Sequence, residues 1–187
     1  MKETISEGDK KALLGLARNS IKTYFQGKSC PLGGASKFSK VQGVFVTLHD
    51  KHGDLRGCIG FPIGFKPLCE GIVDAARHAA FRDPRFPPLR ESELAETRIE
   101  ISVLTVPEEM KVKSPDEYLK KIVIGVDGLI LEGPFGSGLL LPQVATENEF
   151  GTKEFLNCLC QKAGLPFDSW KDRENKILRF SAEVFSE

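Results

Sequence analysis

The sequence has no excess of charge of either sign, because 26 lysines and arginines balance 26 aspartates and glutamates. The positive field that gives basic proteins a general affinity for nucleic acid is therefore missing, and nucleic-acid binding is not expected. No apolar run approaches the roughly 20 residues that cross a bilayer, and the N-terminal segment lacks the apolar stretch of a secretory signal. These absences predict a cytoplasmic protein without membrane association.

Residues that bind metals are few and poorly spaced for that purpose. The five cysteines are an odd number without the paired spacing of a zinc site, and His49, His52 and His78 are not spaced as metal ligands. An odd set of cysteines is typical of a reduced cytosolic chain. The sequence thus indicates no metal site and no evident cofactor.

The length and composition are those of an ordinary globular protein. The 187 residues suit one large domain or two small ones. Apolar residues at helical spacing predict helices over 7–26, from Pro67 to about Arg82, and from Thr152 to Gly164. Alternation predicts strands at 44–49, 55–59, 97–106, 122–126, 129–132, 139–141 and 177–185. This irregular interleaving favours an α+β fold with mainly antiparallel sheet packed against helices.

The most informative stretch is the hexapeptide Leu55–Gly60, with the sequence LRGCIG. Arg56 and Cys58 alternate with Gly57 on a predicted strand, so the arginine and the cysteine leave the same face. Gly57 and Gly60 remove side-chain bulk, which lets another backbone or a ligand approach closely. The stretch has the character of a site, although it specifies no reaction.

The preceding strand adds a histidine to this face. The polar run Asp50–Asp54 connects the two strands as a β-hairpin. With a four-residue loop His49 lies opposite Asp54, and with a two-residue turn it lies opposite Arg56 and diagonal to Cys58. In both registers His49, Arg56 and Cys58 share one face.

Five segments together match one protein family in their sequence and in their order. They are Leu55–Gly60, Asp83–Phe86, Ile99–Leu104, Leu140–Val144 and the stretch from Phe155 to Leu165. On these motifs the chain resembles the AMMECR domain family over most of its length. Each motif is weak alone, but the combination is specific.

The resemblance implies a single AMMECR-type domain over residues 1–187. It also implies an α+β fold with a larger lobe, a smaller lobe built from about residues 107–150, and a cleft between them. No established reaction comes with the family. Similar prokaryotic proteins are often encoded beside, or fused to, a Memo-type protein and a radical-SAM protein, which suggests both as partners by association only.

Cys58 is the candidate nucleophile, and Glu100 is the candidate general base. The thiolate is the reactive form of cysteine, so Cys58 needs a neighbouring cation or helix N-terminus that stabilises negative charge. Glu100 can serve as a base only if the fold brings it close to Cys58. The alternatives are a Cys58 buried beneath the alanine-rich helix after Pro67, and a Glu100 exposed on a half-solvated sheet.

Five polar side chains are candidates for binding a substrate: Arg56, Asp83, Arg85, Gln143 and His49. The two arginines are suited to clamp a carboxylate or a phosphate. The alternative is an internal network in which they pair with Asp83 and Glu100. Gln143 can equally satisfy backbone groups of its loop.

Two functional hypotheses follow from these residues and from the resemblance. The first is an enzyme, or an enzyme component, that accepts a small anionic substrate in a cleft beside Cys58. The second is a non-catalytic adaptor that docks a protein partner, such as the Memo-type or the radical-SAM protein, on the same surface. Both hypotheses stay open at this point.

Overall fold

The structure, a computed structural model, describes residues 5–187 and combines helices with strands throughout. The α-helices are α1 (Glu7–Phe25), α2 (Leu68–Phe81), α3 (Asp116–Lys121), α4 (Pro142–Glu147) and α5 (Thr152–Lys162). The strands are β1 (Val44–His49), β2 (Leu55–Phe61), β3 (Arg98–Leu104), β4 (Glu108–Glu109), β5 (Gly128–Gly133), β6 (Gly136–Leu140), β7 (Lys176–Phe180) and β8 (Ala182–Ser186). Short 3-10 helices lie at Gly33–Lys37, Glu91–Glu96 and Ser169–Lys171. The predicted α+β class is confirmed.

The strands form two four-stranded sheets, ordered β2-β1-β3-β8 and β4-β7-β5-β6. In the first sheet β1 is antiparallel to both β2 and β3. In the second, β5 is antiparallel to β6 and β7. The β1–β2 and β5–β6 pairs are hairpins of consecutive strands, whereas the β1–β3 and β5–β7 pairs join strands that are separated in the chain. β2 is therefore an outer strand with one free edge.

The chain divides into two compact units. The first unit comprises the described residues up to Leu104 together with Glu183–Glu187, and the second comprises Thr105–Ala182. Because β8 belongs to the sheet of the first unit, the chain returns to that unit at its last described residues. Arg18 of α1 secures this return through an ion pair with Glu187.

α1 begins and packs as its sequence predicts. The Ser6 hydroxyl caps the helix by accepting a hydrogen bond from the Asp9 N–H at 3.2 Å. Leu13, Ala17 and Ile21 then recur at helical spacing and are fully buried. No helix in residues 5–187 is long and apolar enough to cross a bilayer.

α2 packs against one face of β1 and β2 through small side chains. Ala75, Ala76 and Ala79 are buried at this contact. A Cβ atom at Gly57 would collide with the carbonyl oxygen of Ala79, so glycine lets the helix backbone approach β2. The close approach predicted at Gly57 is thus made by a helix of the same chain.

The core of the second unit forms around α5. Phe155, Leu156 and Leu159 are fully buried on one side of this helix. Trp170 is also buried, and its indole N–H donates to Asn157 Oδ1 at 3.0 Å. The hydrogen bond satisfies the polar atom of a large buried side chain.

Two strand predictions were wrong. Residues 122–126 form a turn, because the Asp127 carboxylate accepts the Val123 N–H at 2.9 Å and Gly125 adopts a φ of 79°. The predicted strand 177–185 is broken at Ser181, whose N–H donates to Thr105 Oγ1 at 2.9 Å. Its two halves, β7 and β8, join different sheets.

The hairpin of β1 and β2 adopts neither of its predicted registers. His49 pairs with Leu55, and Leu48 pairs with Gly57. Arg56 is therefore an extra residue between the two pairs, which constitutes a β-bulge. The prediction of an uninterrupted ladder closed by a two-residue or four-residue turn was wrong.

The turn between β1 and β2 explains the changed register. Asp50 Oδ1 accepts the backbone N–H groups of His52 at 2.8 Å and Asp54 at 3.0 Å. The Asp50 N–H also donates to the Asp54 carbonyl at 2.9 Å. These bonds hold residues 50–54 as a loop of five residues. Compared with a loop of two or four residues, this odd number moves every side chain of β2 to the other face of the sheet. The bulge at Arg56 reverses this change.

Candidate functional site

The bulge determines which face of the sheet carries Cys58. Gly57 faces α2, so the next residue, Cys58, lies on the opposite face. Without the extra residue the odd loop would turn Cys58 towards α2. Cys58 is half-buried and shares its face with Thr47, His49 and Glu100. We call the surface formed by these four residues the cysteine face.

Thr47 contacts the Cys58 sulfur directly. Its hydroxyl donates a hydrogen bond to Sγ, with 3.2 Å between the oxygen and the sulfur. The backbone N–H and C=O of Cys58 point away from β1, so the two residues form the closer, non-hydrogen-bonded type of cross-strand pair. A hydroxyl donor in this place stabilises negative charge on the sulfur.

Asp83 and Arg85 cover the free edge of β2 at Cys58. The Cys58 N–H donates to Asp83 Oδ2 at 2.8 Å, and the Cys58 carbonyl accepts from Arg85 Nη2 at 3.2 Å. The two side chains thereby replace the hydrogen bonds of a neighbouring strand. They also bond to each other, with Arg85 Nη2 and Nε at 2.7 and 3.0 Å from the carboxylate oxygens.

The Asp83–Arg85 pair is unequally exposed. The side chain of Asp83 is 1% exposed and that of Arg85 is 53% exposed. Hydrogen bonds from the guanidinium hold the pKa of Asp83 well below its usual range, against the opposing effect of burial. The pKa of Arg85 is raised, first by its hydrogen bonds to Asp83 and, against the effect of burial, by the charge of Asp83. The guanidinium is therefore a cation held beside Cys58.

Arg85 retains hydrogen-bond donors for a ligand. Its Nε and Nη2 atoms bond to Asp83 and Cys58, whereas Nη1 makes no hydrogen bond with residues 5–187. The guanidinium carbon lies 5.5 Å from the ring centroid of Phe86, which further restricts its position. An anion approaching Arg85 would meet a fixed cation beside a sulfur atom.

Arg56 is not part of this arrangement. Its Nε and Nη2 atoms donate to the Glu93 carboxylate at 3.2 and 3.4 Å, and Nη1 donates to the Pro87 carbonyl at 3.0 Å. The predicted pairing of an arginine with Glu100 was wrong, because the bulge residue Arg56 reaches the 3-10 helix Glu91–Glu96 instead. Only 13% of the Arg56 side chain is exposed.

A surface pocket of about 260 Å³ lies beside Arg56. The pocket is lined by charged side chains of both signs and by one threonine: Asp50, Lys51, Arg56, Glu93, Glu96 and Thr97. Cys58, Asp83 and Arg85 do not contribute to this lining. β2 therefore borders two different features, which are the pocket at Arg56 and the thiol at Cys58.

Glu100 and His49 lie on the cysteine face but are not placed against the sulfur. Thr47 pairs with Cys58 on one side and with Glu100 on the other, so it separates them. Two strand spacings amount to roughly 10 Å between the Cα atoms. His49 lies further along β1, with Nδ1 at 3.2 Å from the Gly53 carbonyl oxygen. Glu100 is thus not positioned to take the Cys58 proton directly.

Gln143 belongs to the second unit, whereas the other predicted site residues belong to the first. It lies in the first turn of α4, where its backbone carbonyl accepts a hydrogen bond from Thr146 Oγ1 at 2.9 Å. Its side-chain amide makes no hydrogen bond with residues 5–187. A ligand-binding role for Gln143 stays a prediction.

The remaining cysteines differ from Cys58 in their surroundings. Cys69 and Cys160 are buried, and Cys30 and Cys158 are half-buried. Burial raises the pKa of the Cys160 thiol. Cys30 and Cys158 are therefore the relevant competitors for a thiol reagent. Within the described residues no group of three or more His, Cys, Asp or Glu side chains is arranged to hold a metal ion.

Sequence reasoning missed two residues that matter to this region, Thr47 and Glu93. Thr47 had a signal, because alternation along β1 places it on the face of His49 and a two-residue turn would have placed it opposite Cys58. Glu93 had none, since it lies in a 3-10 helix far from the hairpin in sequence. Its pairing depends on how the chain folds back.

The fold and the edge-strand thiol define a class of α+β protein in which an Asp-Pro-Arg segment covers the strand that carries a cysteine. The chain belongs to the AMMECR1 family, whose sequence profile matches residues 14–185. The resemblance found in the motifs is thereby confirmed.

Relatives at similar identity occur in several archaea. A protein of Methanothermobacter thermautotrophicus is 45% identical over 98% of this chain and 96% of its own length. A protein of Thermococcus onnurineus is 48% identical, covering 94% and 88% of the two chains. The crystal structure of an uncharacterized protein from Pyrococcus horikoshii matches with a TM-score of 0.83 and 44% identity, covering 94% and 89%. These relatives support the fold and the family.

Proposed function

We propose that this AMMECR1-family protein binds a small anionic molecule at Arg85 and presents the Cys58 thiol to it as a nucleophile. The supporting observation is a guanidinium more than half exposed, held beside Cys58 by a buried carboxylate. Arginine with unused N–H groups is suited to bind a carboxylate or a phosphate. Asp83 positions Arg85 and is itself too buried to contact the ligand.

The other residues of the region take different roles in this proposal. Thr47 orients the Cys58 sulfur through its hydrogen bond. The thiol loses its proton to water, the sulfur bonds to an electrophilic carbon of the ligand, and a leaving group departs from that carbon with the electron pair of the broken bond. Arg56, whose donors bind Glu93 and a backbone carbonyl, stabilises the fold. In this proposal Arg85 binds the anion without Arg56.

Charge-selective alkylation tests this proposal. In the reactions with iodoacetate and with iodoacetamide a cysteine sulfur displaces iodide, so the reagents differ in charge while the bond formed is the same. Cys58 should react faster than Cys30 and Cys158, as measured by mass spectrometry of the peptides. The rate ratio of iodoacetate to iodoacetamide should also be higher at Cys58 than at Cys30, because Arg85 attracts the anion.

Two double variants provide the matched comparison. Asp83→Asn with Arg85→Gln removes the cation without leaving a buried charge, and should lower the iodoacetate preference at Cys58 about threefold or more. Arg56→Gln with Glu93→Gln removes the other ion pair of the same strand and should leave the preference unchanged. An unreactive Cys58, or a preference that does not respond to the loss of Arg85, would overturn the proposal.

A protein-docking function is the second candidate, and an apolar surface following β2 favours it. Ile63 and Phe65 are 58% and 61% exposed. Phe65 also packs edge-on against Phe61 at the end of β2, with 4.9 Å between the ring centroids. Exposed apolar side chains grouped in this way are typical of surfaces that bind other proteins.

The Memo-type and radical-SAM proteins are the partners to test for docking. Size-exclusion chromatography of the purified proteins would show whether a complex forms. A complex that survives Cys58→Ser but is lost with Phe65→Ser supports docking on this surface. Absence of any complex, or a complex that tolerates Phe65→Ser, contradicts it.

A further inference from the structure

Glu100 is a half-buried carboxylate on the cysteine face for which residues 5–187 supply no partner. It makes no hydrogen bond and no ion pair with residues 5–187. A partly desolvated charge is unfavourable unless something compensates it. The position is therefore suited to a cation or to a strong hydrogen-bond donor from outside the chain.

Basic side chains on the same side of the first sheet are engaged elsewhere. Arg98 lies two residues before Glu100 on β3 and therefore on the same face of the sheet. Its Nη2 donates to Ser186 Oγ at 2.6 Å. His49 on the neighbouring strand contacts the Gly53 carbonyl through its ring. Neither forms an ion pair with Glu100, so its negative charge is not neutralised within the described residues.

Glu100 and Arg85 stand on opposite sides of Cys58. Across the first sheet the order is Arg85 at the outer edge, Cys58 on β2, Thr47 on β1 and Glu100 on β3. A cation with a free donor and an anion without a partner, as far as the described part of the chain shows, thus flank one thiol. The Cα atoms of Cys58 and Glu100 are separated by two strand spacings, roughly 10 Å.

We infer that the ligand of this site is a zwitterion, with its acidic group at Arg85 and an ammonium or similar cation at Glu100. Its middle portion would cross Thr47 and Cys58, which places the atom attacked by sulfur between the two charges. The inference rests on the proposed anion site and adds the second charge of the ligand. It assigns Glu100 to recognition of the ligand rather than to proton transfer.

Protection of Cys58 from iodoacetamide tests the inference with simple zwitterions. The probes are glycine, 4-aminobutyrate, 6-aminohexanoate and 8-aminooctanoate, with hexanoate and hexylamine as compounds of one charge only. Protection should increase with chain length until both charges are reached. The best amino acid should protect at about tenfold lower concentration than hexanoate, which corresponds to one added charge-assisted contact.

Variants assign each charge to its residue. Glu100→Gln should reduce protection by the best amino acid to the level of hexanoate and leave protection by hexanoate unchanged. Glu96→Gln, a carboxylate at the pocket beside Arg56, is the matched control and should change neither. An unfolding midpoint close to that of the wild type shows that Glu100→Gln has not disturbed the sheet.

The outcomes separate this inference from the proposed function. If hexanoate protects Cys58 through Arg85 but the added amino group gives no advantage, the zwitterion is wrong while the anion site stands. The same holds if Glu100→Gln leaves the advantage of the amino acid intact. If no carboxylate protects Cys58 and charge has no effect on its alkylation, both proposals are wrong.

Discussion

Two pairs of an arginine and a carboxylate border β2, but burial is distributed in opposite ways. In the pair at Arg56, the arginine side chain is 13% exposed and its partner Glu93 is 38% exposed. In the pair at Cys58, Arg85 is 53% exposed and its partner Asp83 is 1% exposed. The first pair hides the cation, and the second pair hides the anion.

This difference shows that exposure of an arginine does not measure its importance to stability. Removing Arg56 leaves a carboxylate that water can solvate. Removing Arg85 leaves a buried carboxylate without its counter-ion, which is much less favourable. The exposed arginine is therefore both the one available to a ligand and the one on which the fold depends more.

The largest expected effect is on stability. Arg85→Ala should lower the free energy of unfolding by about 3 kcal/mol, because Asp83 becomes an unpaired buried charge. Arg56→Ala should lower it by about 1 kcal/mol, since the half-exposed Glu93 is solvated after the loss. Urea denaturation measures both values. A larger loss for Arg56→Ala would reverse the comparison.

Acid should remove the contribution of Asp83. A carboxyl whose pKa is depressed in the folded state contributes stability that is complete above its usual value of 3.8 and is lost as the pH falls through the lower folded value. The stability difference between the wild type and Asp83→Asn should therefore be constant near neutrality and shrink below about pH 4. Denaturation curves across this range provide the test, and a difference independent of pH would contradict it.

A double-mutant cycle should show the coupling of the buried pair. Adding Asp83→Asn to Arg85→Gln removes the stranded charge, so the double variant should recover about 1 to 2 kcal/mol relative to Arg85→Gln alone. Adding Glu93→Gln to Arg56→Gln should recover less than about 0.5 kcal/mol, because that carboxylate is half-exposed. Equal recovery of stability for the Asp83–Arg85 pair and the Glu93–Arg56 pair would show that burial of the carboxylate does not cause the difference between them.

The smallest expected effect concerns Thr47. Thr47→Val keeps the shape of the side chain but removes the hydroxyl that bonds to the Cys58 sulfur, and should slow alkylation of Cys58 by about threefold near neutral pH. Thr47→Ser should retain the rate of the wild type. The rates at Cys30 and Cys158 serve as internal references, and an unchanged rate at Cys58 would exclude a role for the hydroxyl.

Local patterns predicted the elements that depend on local interactions. Apolar residues at helical spacing predicted a helix over 7–26, and the same spacing defines the buried face of α1. The turn over residues 122–126 was missed because apolar alternation there is overridden by the Asp127 side chain. The break at Ser181 was missed because it depends on a hydrogen bond to Thr105, which is distant in sequence.

The pairing of Asp83 with Arg85 was one of the alternatives that the sequence left open, and the structure contains that pair. The functional roles assigned to the candidate site residues stay predictions. Alternation along the strands did not reveal the register. The odd loop and the bulge each move the side chains of β2 to the opposite face, so the two effects cancel and Cys58 stays on the face of His49. The partner of Arg56 depends on where a distant 3-10 helix lies, and alternation along a strand carries no information about that.

The return of β8 to the first sheet has a consequence for biosynthesis. The second unit, Thr105–Ala182, emerges from the ribosome before Glu183–Glu187 exists. During that interval β3 has an open edge, and Arg18 has no Glu187 to bind. Domains generally fold as they are made, yet here the unit whose synthesis begins first is completed last. A nascent chain halted within the second unit would therefore expose the edge of β3 to pairing with strands of other chains.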